Sequence, residues 1–280
     1  MQAIIMTAYK NPQGTMELLR CLAPKMPCYV HVDAGGEITD EETEQMNRIE
    51  GVHAWKKYRV NWGSIRHLEA LCFLMKEALC DKNISMLHLI SAEDFPIRTW
   101  SHFEELDQNR IYMQMIRTRE FPELTHRYAH FHFMSLINYR DSSEKMQNWV
   151  GRIDRWQDLL HIKRRYVPEW KGLVWCSLPR EAALYALNSS SAKALFRHLR
   201  FTYIPEEFYF QNVFAGSEFE KRIVPNNRRF SIWNQPERGM PAVLEEKDLV
   251  QAEEKDLFAR KVVQGTPLFR LLRERWEGGQ

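Results

Sequence analysis

Short apolar runs alternate with amphipathic stretches through the first hundred residues. Residues 3–6 read as a buried strand, and residues 15–22 as a helix with Met16, Leu19 and Leu22 on one face. Residues 28–32 form a second strand, ending in His31-Val32-Asp33 ahead of Gly35-Gly36. Thr39-Asp40-Glu41-Glu42 has the form of a capping box, so a helix opens there and stops near Gly51. Ser64 opens a stronger helix, whose Ile65, Leu68, Cys72, Met75 and Leu79 make one apolar stripe. Residues 84–90 are a buried strand running into "SAEDFPIRT". This alternation predicts an α/β fold with a mostly parallel sheet flanked by helices.

The pattern then changes. Residues 110–170 are aromatic, basic and His-rich with no steady period, and read as a long irregular excursion from the sheet. "GLVWCSLPREAALYAL" is a strand followed by a helix from about Pro179, and residues 189–199 make another helix. Pro205 suits a first helical position, which puts Glu206 and Glu207 in a first turn. The tail offers a strand-like "RRFSIW" and charged helical segments. No Gly- or Ser-rich linker divides the chain.

Composition adds limits. The 280 residues suffice for one large domain, and a net charge of +2 calls for no polyanionic partner. Basic pairs such as Arg164-Arg165, Arg228-Arg229 and Arg260-Lys261 are scattered, which argues against a nucleic-acid binder. Five cysteines with no C-x-x-C argue against a zinc ribbon and a disulfide framework. The expected setting is the cytoplasm, with at most peripheral contact with a membrane.

Ligands of open α/β sheets bind beyond the carboxyl ends of the strands. Tyr9-Lys10, Asp33 and Glu93-Asp94 stand at such ends. Asp33 suits a ribose or base, or simply the turn before Gly-Gly. Neither a dinucleotide fingerprint nor a P-loop is present, and no D-x-D is found to hold a metal on a diphosphate. The E-x-D triplets at 246–248 and 254–256 read as solvated helical faces. His130 and His132 would share one face of a strand, as packing histidines or as metal ligands lacking a third partner. Without a metal, a bound diphosphate needs fixed cations. The tail supplies Arg228, Arg229, Arg238, Arg260 and Lys261.

Six segments in order resemble the core-2/I-branching β-1,6-N-acetylglucosaminyltransferase family, to which peptide O-xylosyltransferases are related. They are "YVHVDAGG", "VNWGSIRHLEALCFLM", "MLHLISAEDFPIRT", "KGLVWCSLPREAALYAL", "IPEEFYFQNVF" and "LFARKVV". Residues 110–165 resemble it least. Asn212 stands where the family usually has Thr, and Ala92 where it has Gly. A soluble, bacterial-type member is expected, since the vertebrate members' anchor and cysteine set are not seen.

The resemblance implies a GT-A-like glycosyltransferase fold in one domain. Residues 1–105 would be the nucleotide-binding half, 106–221 the acceptor side with the catalytic base, and 222–280 a segment closing the diphosphate site. It implies inverting transfer of a sugar, GlcNAc by preference, from a UDP-sugar to a hydroxyl of a glycan acceptor, with a β-linked product and no metal cofactor. By position, Asp33 matches the uridine-binding aspartate, Glu207 the catalytic base and Lys261 the diphosphate lysine. Counting back from Lys261, Arg238 falls at the diphosphate arginine. Glu206 is then the solvated first-turn acid. Phe208, Tyr209 and Phe210 are expected to wall Glu207, while Trp62 and Trp175 are sugar floors or core. The alternatives are transfer from UDP-xylose and a catalytically silent UDP-sugar or glycan binder.

Overall fold

The computed structural model describes residues 1–136 and 143–278; residues 137–142 of the middle region lie outside the described set. Strand β1 (Gln2–Ala8) leads to α1 (Pro12–Leu22), where Asn11 Oδ1 accepts from the Gly14 N–H. Then come β2 (Cys28–Val32), α2 (Asp40–Asn47), β3 (Val52–Trp55), α3 (Ile65–Leu79), β4 (Met86–Ser91), β5 (Asp94–Pro96) and α4 (Trp100–Glu104). Thr39 and Glu42 close the reciprocal capping box expected of them, and Ser64 caps α3. Strand β3 was not read from the sequence. Its four residues follow Gly51, which turns the chain at φ 77°.

The middle contains β6 (Ile111–Tyr112), β7 (Ile116–Arg117), α5 (Thr125–Ala129), α6 (Glu144–Leu159) and β8 (Trp170–Lys171). The expectation of an irregular stretch therefore fails at α6, a 16-residue helix capped by Ser143. Gln157 is its one buried residue, so the usual buried apolar stripe is missing. His130 and His132 do not lie on a strand; the first ends α5 and the second follows it in irregular chain. The rest comprises β9 (Ser177–Pro179), α7 (Arg180–Asn188), α8 (Ser190–Leu199), α9 (Glu206–Phe214), β10 (Ile223–Val224), β11 (Arg229–Ser231), β12 (Phe258–Arg260) and α10 (Pro267–Gly278). Pro205 sits just ahead of α9 rather than inside it.

The main sheet has seven strands in the order β10-β6-β9-β4-β1-β2-β3. Pairs β1–β2, β1–β4, β2–β3 and β6–β10 are parallel, and β9 is antiparallel to both its neighbours. This is the mostly parallel, helix-flanked α/β architecture of a GT-A-like fold. Alternate residues of β1 feed opposite cores. Ala3 and Ile5 join α3, α7, α8 and α9, whereas Ile4, Met6 and Ala8 join α1 and α10. A second sheet, β11-β12-β5, brings the tail back against the end of β4. The E-x-D triplets are not solvated helix faces: Asp248 and Asp256 are buried, at 2% and 7% exposure.

Candidate active site

Strand order 3-2-1-4 reverses between β1 and β4, which opens a crevice beyond their carboxyl ends. Charged side chains from three parts of the chain meet there. Strand β12 pairs antiparallel with β5 and sets Arg260 opposite Asp94. Arg260 donates to Asp94 Oδ2 at 2.7 Å and to Ser91 Oγ at 3.0 Å. Lys10, just past β1, binds Glu93 at 2.9 Å, and Lys261 Nζ lies 3.9 Å from the same carboxylate. Burial alone would raise the Glu93 carboxyl. The hydrogen bond from Lys10 and the charges of Lys261 and Arg260 outweigh it and hold Glu93 below the usual range.

Asp33 follows β2 at the same edge. Its Oδ1 accepts from Gly35 N–H at 2.8 Å and from Val60 N–H at 2.9 Å, so it shapes its own turn and ties in the 58–60 strap. A side chain at Gly36 would run into the Tyr9 carbonyl, so this turn can rest on the chain leaving β1.

The head of α9 carries both glutamates, and they diverge. Glu207 Oε2 accepts from Arg127 Nη2 at 2.9 Å. Arg127 is buried, and it also donates to the Tyr203 and Ile204 carbonyls just before α9. Glu206 is not solvated as expected: it is 7% exposed, and its Oε1 lies 2.9 Å from His67 Nδ1. Its Oε2 is buried with no hydrogen-bond partner. Of the aromatic wall expected around Glu207, Phe208 reaches its partner, with the Arg127 guanidinium carbon 4.9 Å from that ring. Phe208, Tyr209 and Phe210 sink into the core, and the Tyr209 hydroxyl donates to Ala186 O. The partner of Glu207 is a cation.

His67 links Glu206 to the crevice. Its Nε2 lies 3.4 Å from Thr7 Oγ1 on β1, and its ring packs on Trp175. Trp175 in turn lies beneath Arg260, 4.4 Å from ring centre to guanidinium carbon. Trp175 is thus mostly core, at 8% exposure, whereas Trp62 is 42% exposed against the edge of Tyr203. Arg127 and His67 were not picked out from the sequence. Each is one of several polar residues on its helix, and nothing local marks its distant partner.

The other tail arginines are engaged elsewhere. Arg238 makes a two-oxygen pair with Asp248, at 2.5 and 3.3 Å, and also donates to Val243 O. Arg229 is buried, donating to Ser177 Oγ and to the Leu89 and Cys176 carbonyls, and burial lowers it to about 10. Arg228 stacks on Tyr112, near the start of β12 rather than at its Lys261 end. His130 and His132 face Asp154 at 3.8 and 3.7 Å, and His130 also meets Asp158 at 3.0 Å. Among the described residues, no group of three or more His, Cys, Asp or Glu is arranged to hold a metal ion.

The crevice therefore offers a cationic rim and a strand-end aspartate, and His67 connects one acid of the diverging α9 pair to β1 beside it. A family model described as Core-2/I-Branching enzyme matches residues 17–254, a span that includes Asp33, Glu207 and Arg238 and stops short of Arg260 and Lys261. No curated protein matches the chain. Among the described residues, no helix is long and apolar enough to cross a membrane. The match covers most of the chain and agrees with the sheet and its crevice: the chain belongs to the Core-2/I-branching enzyme family and is a glycosyltransferase.

Proposed function

We propose that the chain transfers a sugar, GlcNAc in our reading, from a UDP-sugar to a hydroxyl of a glycan acceptor, inverting the anomeric centre without a metal. The observation that carries this reading is the divergence of the two acids at α9. Glu206 is buried on His67, which leaves the Arg127-held Glu207 as the more open carboxylate. Inversion needs one base, whereas a pair of flanking carboxylates would suit hydrolysis. The acceptor oxygen attacks the anomeric carbon from the face opposite UDP, and its proton passes to Glu207. The bond to the phosphate oxygen breaks, and its electron pair leaves on UDP. That oxygen gains charge in the transition state, where fixed cations act most strongly. Lys261 and Lys10 stand at the crevice to meet it, and Asp33 to meet the uridine. Arg238 takes part only by sharing its guanidinium with Asp248.

The test is release of UDP across a panel of UDP-sugars and acceptors, with and without EDTA. Turnover that survives EDTA is expected, and loss in EDTA would overturn the metal-free step. Glu207→Gln should bind UDP as before and slow transfer by about 10²–10⁴-fold; full activity would remove Glu207 as the base. Preferred turnover of UDP-xylose would reassign the donor. UDP binding with no transfer to any acceptor would favour a silent binding protein.

A further inference from the structure

The surface of α6 is unlike the rest of the molecule. Trp149, Ile153, Trp156 and Leu160 recur at steps of four, three and four residues, which makes one stripe along the helix. Apart from Ile153, which is half-buried, that stripe does not face the core. Trp149 is 53% exposed, Trp156 68% and Leu160 61%, with Leu159 at 78% beside them and Ile162 at 42% just beyond.

The charges are sorted as well. Asp154 turns inward onto His130 and His132, and Asp158 reaches His130 from a largely exposed position. Lys145, Arg152, Arg155, Lys163 and Arg165 are all exposed on or just after the helix, against two exposed acids on it, Glu144 and Asp158. The outer face thus combines indole and leucine side chains with an excess of positive charge. Its low average hydrophobicity comes with strong sidedness, the pattern of a helix lying in the plane of a bilayer interface.

We propose that α6 docks the protein on an anionic lipid surface. The Trp149–Trp156–Leu160 stripe enters the headgroup layer, and the basic residues meet lipid phosphates. Charge decides between occupants: a second copy would set the same five cations against themselves, whereas an anionic leaflet complements them. This inference rests on the surface of α6 alone, and it stands or falls independently of the proposed sugar transfer.

The test is flotation of the full chain with vesicles of phosphatidylcholine alone or mixed with phosphatidylglycerol. Binding to the mixed vesicles, weakened by salt and at least about tenfold above neutral ones, is expected. Trp149→Ser with Trp156→Ser, and separately Arg152→Gln with Arg155→Gln, should each weaken it by about tenfold or more. Circular dichroism checks that both variants fold, and UDP release with a dissolved acceptor should be unchanged in both. Equal partition onto neutral vesicles, no flotation, or full binding by the folded variants would overturn the proposal. So would a concentration-dependent dimer in sedimentation that only the tryptophan variant loses.

Discussion

The frame around α3 and the connection from 111 to 170 are held together by different forces. In the frame, Leu68, Leu71, Leu74 and Met75 are fully buried, and the apolar stripe visible in the sequence is the surface that packs. In the connection, several of the buried groups are polar: Thr118, Arg127, His130, His132 and Gln157. Gln157 accepts from Phe131 N–H at 2.7 Å and donates to Phe131 O at 3.2 Å, which fastens α6 through its polar face. Thr118 donates to Pro168 O at 2.6 Å and so closes the two ends of the excursion. Hydrophobic burial is non-directional and makes a stable frame. Hydrogen bonds set geometry and add little net stability. The site draws on both: the frame supplies the crevice, and the connection supplies Arg127 to Glu207.

The largest effect should come from the frame. Leu71→Ala opens a cavity in a fully buried layer and should cost about 2–5 kcal/mol. Denaturant unfolding would show it as a lower midpoint for the whole protein. A loss below about 1 kcal/mol would mean that the layer collapses to fill the gap, and the contrast would weaken.

Acid should strain the frame next. His31 is buried, its Nε2 accepts from Tyr58 N–H at 3.0 Å, and burial lowers it to about 4. The unfolded chain therefore binds a proton near pH 6.5 that the folded chain refuses until about pH 4, so stability rises with pH across that window. Between those limits His31 contributes about 3 kcal/mol of lost stability as the solution is acidified. Unfolding midpoints at several pH values, compared with those of His31→Gln, would isolate this part. An unchanged slope in the variant would assign the acid sensitivity elsewhere.

The connection should respond in activity more than in stability. Arg127→Met removes the donor that orients Glu207 and should lower kcat by about 10–100-fold, a loss of positioning. Arg127→Lys restores a charge without the forked geometry and should recover only part of it. Equal UDP affinity in all three proteins would place the effect on the acceptor side. A kcat that stays at the starting level in Arg127→Met would detach Arg127 from the reaction.

Legibility in the sequence follows the same division. The capping box at Thr39, the stripe of α3 and the strand ends at Lys10, Asp33 and Glu93 were all readable, because each is a local pattern with a local cause. Helix α6 was not, since its apolar stripe points outward and its one buried residue, Gln157, is polar. Glu207 came from an ordered set of motifs, but its partner Arg127 lies 80 residues away and leaves no local mark. Glu206 was misread for the same reason, because His67 lies 139 residues from it in sequence. The short strand β12 was also missed. It is three residues long, and its place is decided by pairing with β5 and β11 rather than by its own pattern.

The smallest effect expected is at Asn212, and it sharpens the contrast most. Its Oδ1 accepts from Glu169 N–H at 2.9 Å and Trp170 N–H at 3.1 Å, and its Nδ2 donates to the Trp170 and Phe208 carbonyls at 2.6 Å each. One amide thus ties the end of the connection to α9, next to the Gly172 N–H that donates to Glu207 O. In Asn212→Ala these backbone groups lose their partner, but Glu169 is exposed and water can replace part of what is lost. The net cost should be about 1 kcal/mol. Amide exchange at Glu169 and Trp170 should then speed up by about fivefold while exchange in α3 stays as it was. An equal rise in α3 would show that the connection opens only with the frame, in one cooperative unit, and that the polar latch is not a separate layer of stability.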